Sequence, residues 1–350
     1  MMGCGCSFTR RDLLRAGSLT AAGLLLGAKL DAQTKKGMRI DIHAHVWTDE
    51  YLDLTQSYGN TDTGTQRNKG AGLGKEEMDK RFALMEANGV EMQILSICPQ
   101  APHFDNKEHA VNAARKANDL YAEVVNRWPT KFKAFAAVPL PHVDEALKEL
   151  DRALGQLKMV GATIETFIGN RSIADPAFAP FYEELNRRGT VLYIHPSGNG
   201  LDSPYVSPFH LRWAIGAPME DTTSIMHLIE AGIPQRYPKL KIVNSHLGGM
   251  IPMVLQRLDN ISLWEHPLPE KPSITAKRMW FDSVGHGHPP ALRAAVDSLG
   301  ADRIVLGSDY PYEGGELYNR AIAYIRDAGL KPGDVDKILD RNAAGVLGLA

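Results

Sequence analysis

A His-x-His pair, His43 and His45 in "MRIDIHAHVW" (38–47), stands where an apolar run gives out. In a strand, residues two apart point to the same face, so both imidazoles aim at one spot while the small Ala44 points away. Two neutral imidazoles converging on a point make either a metal site or a polar cluster that needs partners. Three more residues occupy comparable positions. His195 closes "TVLYIHP", His246 closes "LKIVNSH" and Asp309 closes "RIVLGSD". Three imidazoles and one carboxylate suit a single divalent ion with room left for water, and water bound to such an ion loses a proton near neutral pH.

For these residues to meet, distant strand ends must share one rim. Eight short runs rich in Val and Ile recur: "RIDIHA" (39–44), "VEMQILSI" (90–97), "FKAFAAVP" (132–139), "GATIET" (161–166), "TVLYIHP" (190–196), "LKIVNSH" (240–246), "MWFDSV" (279–284) and "RIVLGSD" (303–309). Helix-like segments lie between them, such as "KEEMDKRFALMEAN" (75–88), "VDEALKELDRALGQL" (143–157) and "DPAFAPFYEELNRRG" (175–189). The last has an acidic, proline-bearing start and a glycine stop. Apolar strands alternating with helices predict an α/β fold, a (β/α)8 TIM barrel in a single domain. A doubly wound open sheet is the competing arrangement, but no glycine-rich phosphate loop follows the first run. Long insertions at 48–74 and 197–217 follow the first and fifth runs. Both lie on the face where barrel enzymes carry their active sites, and read as lids or substrate walls.

The 350-residue chain is 44% hydrophobic and 23% charged, with a net charge of −2. That is an ordinary globular composition, without the basic footprint of a nucleic-acid partner. No stretch approaches the ~18 consecutive apolar residues of a membrane helix. The first 32 residues differ from the rest. Arg10 and Arg11 in "TRRDLLR" precede the apolar "AGSLTAAGLLLGA" (16–28), and small residues arrive near Ala32. This resembles a twin-arginine export leader (1–32), followed by a linker (33–37) and the barrel (38–350). The competing reading, an amphipathic N-terminal helix, lacks polar periodicity. Twin-arginine export carries folded proteins, so the mature chain is expected in the periplasm or outside the cell with its metal already loaded. Cys4 and Cys6 fall in the leader, leaving Cys98 alone and unable to form an internal disulfide. It follows "MQILSI" and reads as an inert core thiol.

The stretches "DIHAH", "LYIHPSG", "GAPMEDTTSIMHLIEAGIPQRYPKLKIVNSHLGG", "LGSDYPY" and "RNAAGVLGL" together resemble the metal-dependent amidohydrolase superfamily. The branch is that of aminocarboxymuconate-semialdehyde decarboxylase, γ-resorcylate decarboxylase and 6-methylsalicylate-decarboxylase-like enzymes. The likeness runs from about Arg39 to Leu349. It implies that His43, His45, His195 and Asp309 ligate one divalent ion, Zn or Mn. His246 would instead contact the ion's water or the substrate, with the glycines of "SHLGG" letting a substrate approach the backbone. Arg257, eleven residues after His246, is similar to the arginine that the decarboxylases pass into a neighbouring subunit to hold a carboxylate, which implies a homodimer. Trp213 resembles an aromatic lining the substrate pocket, and Arg67 a carboxylate-binding arginine. Their plain alternatives are a solvated helix charge for Arg257 and a core filler for Trp213.

The resemblance implies non-oxidative decarboxylation of a small aromatic or unsaturated carboxylic acid, with His246 and Asp309 as the acid–base groups. Hydrolysis of a lactone, ester or amide by the same parts is the alternative. Glu165, at the end of the fourth run, is where some superfamily members bridge two metals, but no lysine is available there for a carbamate bridge. "GHGHPP" imitates the opening motif with His286 and His288, in a Gly/Pro loop that cannot hold strand alternation. Substrate contact is the role open to that pair.

Overall fold

The computed structural model describes residues 37–60, 63–198, 206, 209 and 211–349. The expected leader, and the linker up to residue 36, lie outside the described residues. Met38–Ala350 forms one compact unit. Eight strands compose its sheet: β1 Ile40–His45, β2 Met92–Ser96, β3 Phe132–Ala137, β4 Gly161–Glu165, β5 Val191–His195, β6 Lys241–Asn244, β7 Trp280–Asp282 and β8 Ile304–Val305. Neighbours pair in parallel in that order. The ring closes beyond β8, where Ile42 N donates to Leu306 O (2.9 Å), Asp309 N to His43 O (2.9 Å) and His45 N to Tyr310 O (2.8 Å). This is the expected (β/α)8 barrel. No helix among the described residues is long and apolar enough to cross a membrane.

Alternation along the strands separates two apolar layers. Ile42, Ile94, Phe135, Tyr193, Val243 and Val305 fill the barrel interior. Leu95, Ala136, Leu192, Ile242 and Leu306 face the surrounding helices. Each large side chain so buried stabilises the fold by ~1.5–3 kcal/mol. Phe135 and Tyr193 stack at 5.3 Å and plug the interior, with His43 meeting the Tyr193 ring edge-on at 5.5 Å. The helices follow the sequence pattern closely. Lys75–Ala87 and Val143–Gly155 stop within two residues of their expected ends. The third expected helix divides. Asp175 caps a short 3-10 turn, Pro176–Phe178, before the helix Ala179–Arg188 ends on Gly189 at φ 62°.

Strand β1 is not a simple alternation. Strict period two would put Asp41 on the face of His43 and His45, yet Ile40 and Ile42 are the residues that join the interior core. The pairing register with β2 slips between Asp41 and Ala44, a β-bulge that turns Ile42 and His43 to the same side. Asp41 therefore lies outside the barrel, fully buried beneath a helix. It accepts from Ser308 N (2.9 Å), Ser308 Oγ (2.6 Å), Gln93 Nε2 (2.8 Å) and His43 N (3.2 Å). Arg81, also buried, donates to Gln93 Oε1 (2.7 Å) and to His45 O (2.9 Å), with its guanidinium between the rings of Phe132 and Tyr310. These polar groups are thus spent on holding the bulge and the closing seam.

Candidate active site

The ends of β1 and β5, and the turn after β8, bring His43, His45, His195 and Asp309 together. Each offers one ligand atom, and these atoms lie within 4.8 Å of one another. All four residues are buried. His43 Nδ1 faces Asp282 Oδ2 (2.7 Å), His45 Nδ1 faces Ser96 O (3.0 Å), and His195 Nδ1 faces Pro196 O (2.8 Å). Carbonyl and carboxylate oxygens only accept, so each Nδ1 carries the proton and each Nε2 keeps a lone pair. His43 Nε2 and His195 Nε2 are buried with no hydrogen-bond partner. Asp309 Oδ1 lies 3.2 Å from His43 Nε2 and 3.3 Å from His45 Nε2.

Three lone pairs and a carboxylate converging in a buried space are what a borderline divalent ion requires, so the residues present fit one. The electrostatics agree. Burial opposes charge on His43, but the carboxylates of Asp282 and Asp309 outweigh it and raise its pKa to about 9. Burial, reinforced by neighbouring imidazoles, holds His195 well below the ordinary histidine range, and burial lowers His45. Asp309 is held well below the carboxylate range because His43 and His246 outweigh its burial. The carboxylates thus favour a positive charge, which without an ion falls as a proton on His43 Nε2 and which a divalent ion would displace, while His45 and His195 stay neutral as ligation requires.

Sequence reasoning passed over Asp282, the last residue of β7. Its fully buried carboxylate accepts from His43, from Tyr193 OH (2.9 Å), from His246 N (2.9 Å) and from Val284 N (3.0 Å). The signal was available, since "MWFDSV" ends its strand on an acid as "RIVLGSD" does. Gly307 makes room for it. A Cβ there would stand 2.9 Å from Asp282 Cβ and 3.0 Å from His43 Cβ. Asp221 was missed for a different reason. It sits in the helix Ala217–Glu230, where an acid near an N-terminus reads as surface. It is buried, and accepts from His246 Nδ1 (3.0 Å) and Ser245 Oγ (2.9 Å).

His246 follows β6 and opens a run of four left-handed residues, with φ of 51° at His246, 55° at Leu247, 77° at Gly248 and 62° at Gly249. Its Nε2 lies 3.8 Å from Asp309 Oδ2, beside the cluster rather than within it. Burial opposes charge here too, but Asp221 and Asp309 together raise its pKa well above the ordinary value. The glycines have a packing role in this turn. Besides supplying the turn, a Cβ at Gly248 would strike the Phe281 ring and one at Gly249 would strike Pro218 O.

A cavity of about 630 Å³ opens above His195, His246 and Asp309. Trp213, Tyr312, Leu247, Pro252, Met253 and Ala291 supply its apolar walls. Trp213 thus lines the cavity, and a Cβ on Gly198 would overlap its ring. Arg67 does not reach it. Its guanidinium pairs with Asp53 (2.7 Å) and Asp49 (3.4 Å), and the cation that this loop brings to the cavity is Lys69. Arg257 is exposed on the helix Ile251–Ser262 and is not among the residues lining its own chain's cavity. Glu165 is apart from the cluster, accepting from Ala101 N (3.1 Å), with His103 Nδ1 at 3.5 Å. Among the described residues, the four-residue cluster is the one grouping able to hold a metal. His286 and His288 line the cavity. Cys98 is buried beside Thr163 Oγ1 (3.3 Å), and burial pushes its thiol far up, so it is no nucleophile.

Comparison with known proteins follows the same outline. The amidohydrolase family model (Amidohydro_2) matches residues 40–349. The chain is 26% identical over 342 residues to 2-amino-3-carboxymuconate-6-semialdehyde decarboxylase of Dictyostelium discoideum, covering 90% of this chain and 92% of that protein. It is 29% identical over 292 residues to a γ-resorcylate decarboxylase of Polaromonas sp., covering 77% and 87%. A crystal structure of a dihydroxybenzoic acid decarboxylase from Polaromonas sp., with bound manganese and the inhibitor 2-nitroresorcinol, superposes with a TM-score of 0.75 at 25% identity. That superposition covers 89% of this chain and 97% of the other.

Removing the charge of Asp282 tests its part in this arrangement. Asp282→Asn is expected to weaken manganese or zinc binding by about 10- to 100-fold, the usual cost of losing a partner behind a metal-facing histidine. Competition with a chromogenic chelator reads this directly. Unchanged affinity in a folded variant would show that His43 needs no anion behind it.

Proposed function

The chain belongs to the amidohydrolase family, and on that premise we propose that it is a metal-dependent carboxy-lyase. Its substrate is a small aromatic or unsaturated carboxylic acid, decarboxylated without an oxidant. One observation carries this reading: a buried cluster of three histidines and an aspartate lies at the floor of an apolar, aromatic-walled cavity, which its His195 and Asp309 line, in a chain aligned over most of its length with decarboxylases. His43, His45, His195 and Asp309 would hold one divalent ion, zinc or manganese. The manganese of the Polaromonas relative supports trying that ion first. When bound, such an ion supplies Lewis acidity that lowers the charge on a chelated carboxylate and fixes its position.

The chain's own groups handle the proton. Losing carbon dioxide directly would leave a carbanion on an sp² carbon, so that carbon is protonated first. The proton rests on His246, which Asp221 and Asp309 keep readily charged, and Asp309, 3.8 Å away at the cavity floor, relays it to that carbon. The electrons of the breaking C–C bond then restore the ring as carbon dioxide departs, and one proton is consumed overall. Trp213 and Tyr312 hold the ring and exclude water.

Arg257 is proposed to complete the neighbouring site in a homodimer. It shares its helix with Met253, which is 79% exposed at the cavity wall, and Trp264 just beyond is 72% exposed. Exposed apolar residues beside a cavity mouth favour a second copy of the chain as their cover. The leader is proposed to direct twin-arginine export to the periplasm or beyond.

Three outcomes are expected. Metal-loaded mature protein should hold about one ion per chain and release carbon dioxide from at least one hydroxybenzoate, with both properties lost in His195→Ala. Acid release from lactones without carbon dioxide would instead make the enzyme a hydrolase. Arg257→Ala should lower turnover by about 10- to 150-fold, the contribution of a charge-assisted hydrogen bond, with metal content kept. Mixing it with His195→Ala chains should restore activity, because one site of each mixed dimer has its metal cluster and a donated Arg257. No recovery despite subunit exchange would keep Arg257 within its own chain. Finally, Arg10→Lys with Arg11→Lys should hold the precursor in the cytoplasm, and unchanged export would assign the leader another role.

A further inference from the structure

The "GHGHPP" loop after β7 places two histidines at the cavity, and one of them is held by a buried partner. His286 Nδ1 lies 2.8 Å from Glu313 Oε1. The carboxylate can only accept, so Nδ1 carries the proton and Nε2 is left with a lone pair. Nε2 has no hydrogen-bond partner among the described residues. The Glu313 side chain is 7% exposed, whereas that of His286 is 65% exposed where it lines the cavity. A solvated surface histidine needs no buried anion behind it.

Two further facts tie the pair to the site. His286 stands four residues after Asp282 and Glu313 four residues after Asp309, so the turns leaving β7 and β8 present them together. Glu313 N donates to Asp309 O (3.1 Å), and Val284 N donates to Asp282 Oδ1 (3.0 Å). The backbone of His286 is left-handed at φ 49°, uncommon for residues other than glycine, although asparagine, aspartate and histidine adopt it more readily than most. Seven non-glycine residues among those described have positive φ, and four of them, His246, Leu247, His286 and Asp309, line this one cavity. Strain of this kind persists where the surroundings impose it for a purpose.

We propose that His286, oriented by Glu313, is a specificity-determining residue that accepts a hydrogen bond from a hydroxyl or amino substituent of the acid, distinct from the carboxylate. The inference rests on the decarboxylase reading for its substrate class. The remaining lone pair of His286 selects a donor, and Glu313 holds it in the acceptor tautomer. Val284, Pro290 and Ala291 line the cavity beside it with apolar surface. Acids bearing a second ring hydroxyl are therefore preferred over those with one.

The test compares the four 2,n-dihydroxybenzoates with 2-hydroxybenzoate on the metal-loaded protein, by calorimetric Kd and by kcat/KM. At least one dihydroxybenzoate should bind more tightly than 2-hydroxybenzoate. His286→Ala should lower that preference about tenfold, the loss of one hydrogen bond, with 2-hydroxybenzoate affinity and metal content unchanged. His286→Asn tolerates the left-handed backbone but is too short to reach, and should behave alike. Glu313→Gln, which can still accept from Nδ1, should fall between. No preference in the unaltered protein, or equal losses on all ligands, overturns the proposal. If no carbon dioxide is released but His286→Ala still abolishes a binding preference, the decarboxylase reading fails and the subsite stands.

Discussion

The carboxylate of Asp282 is the constraint on which the centre depends. It is an anion removed from water, and it persists because four donors surround it: the His43 ring, the Tyr193 hydroxyl and the backbone N–H groups of His246 and Val284. A buried charge without such compensation would be neutralised or expelled. Those donors come from β1, β5 and the turns after β6 and β7, so one carboxylate ties four segments of the barrel at the level of the metal-facing atoms. It also sets the tautomer of His43 and fixes where the backbone turns at His246. Gly307 is part of the same constraint, because no side chain fits between β8 and this pair.

A second buried network does for the outside of the barrel what Asp282 does within. Asp41, Gln93, Ser308 and Arg81 bridge β1, β2, the closing seam and the helix Lys75–Ala87. Their bonds hold the bulge in β1, and the bulge lets Ile42 pack in the apolar interior while His43 enters the polar layer above it. Without that slip, the strand would have to choose between core and site. The inner and outer networks meet at His43, which receives a fixed backbone from one and a fixed ring from the other.

Much of this was legible in the chain. The eight Val/Ile-rich runs announced the strands, and the polar residues ending them announced which ones would meet, because the strand ends of a parallel barrel share a rim. Trp213 proved to line the cavity. The reading went astray where a residue's local surroundings resemble something commoner. Arg67 stood in a polar loop open to a substrate, but Asp49 and Asp53 on the preceding helix lie close enough to claim it. Asp221 had the position of a solvated helix acid, and only the approach of the β6 turn buried it against His246.

The sequence by itself determined the periodicity, and with it the barrel and the convergence of His43, His45, His195, His246 and Asp309 on one rim. Periodicity acts over a few residues, so it survives in any local reading. Tertiary structure alone decided which nitrogen of each histidine stays free, which face Asp41 takes and which cation reaches the cavity. Those outcomes depend on acceptors supplied from hundreds of residues away: Asp282 lies 239 positions from His43, and Ser308 lies 267 from Asp41. A hydrogen bond is a condition on distance and angle in space, and the order of residues along a chain does not state it.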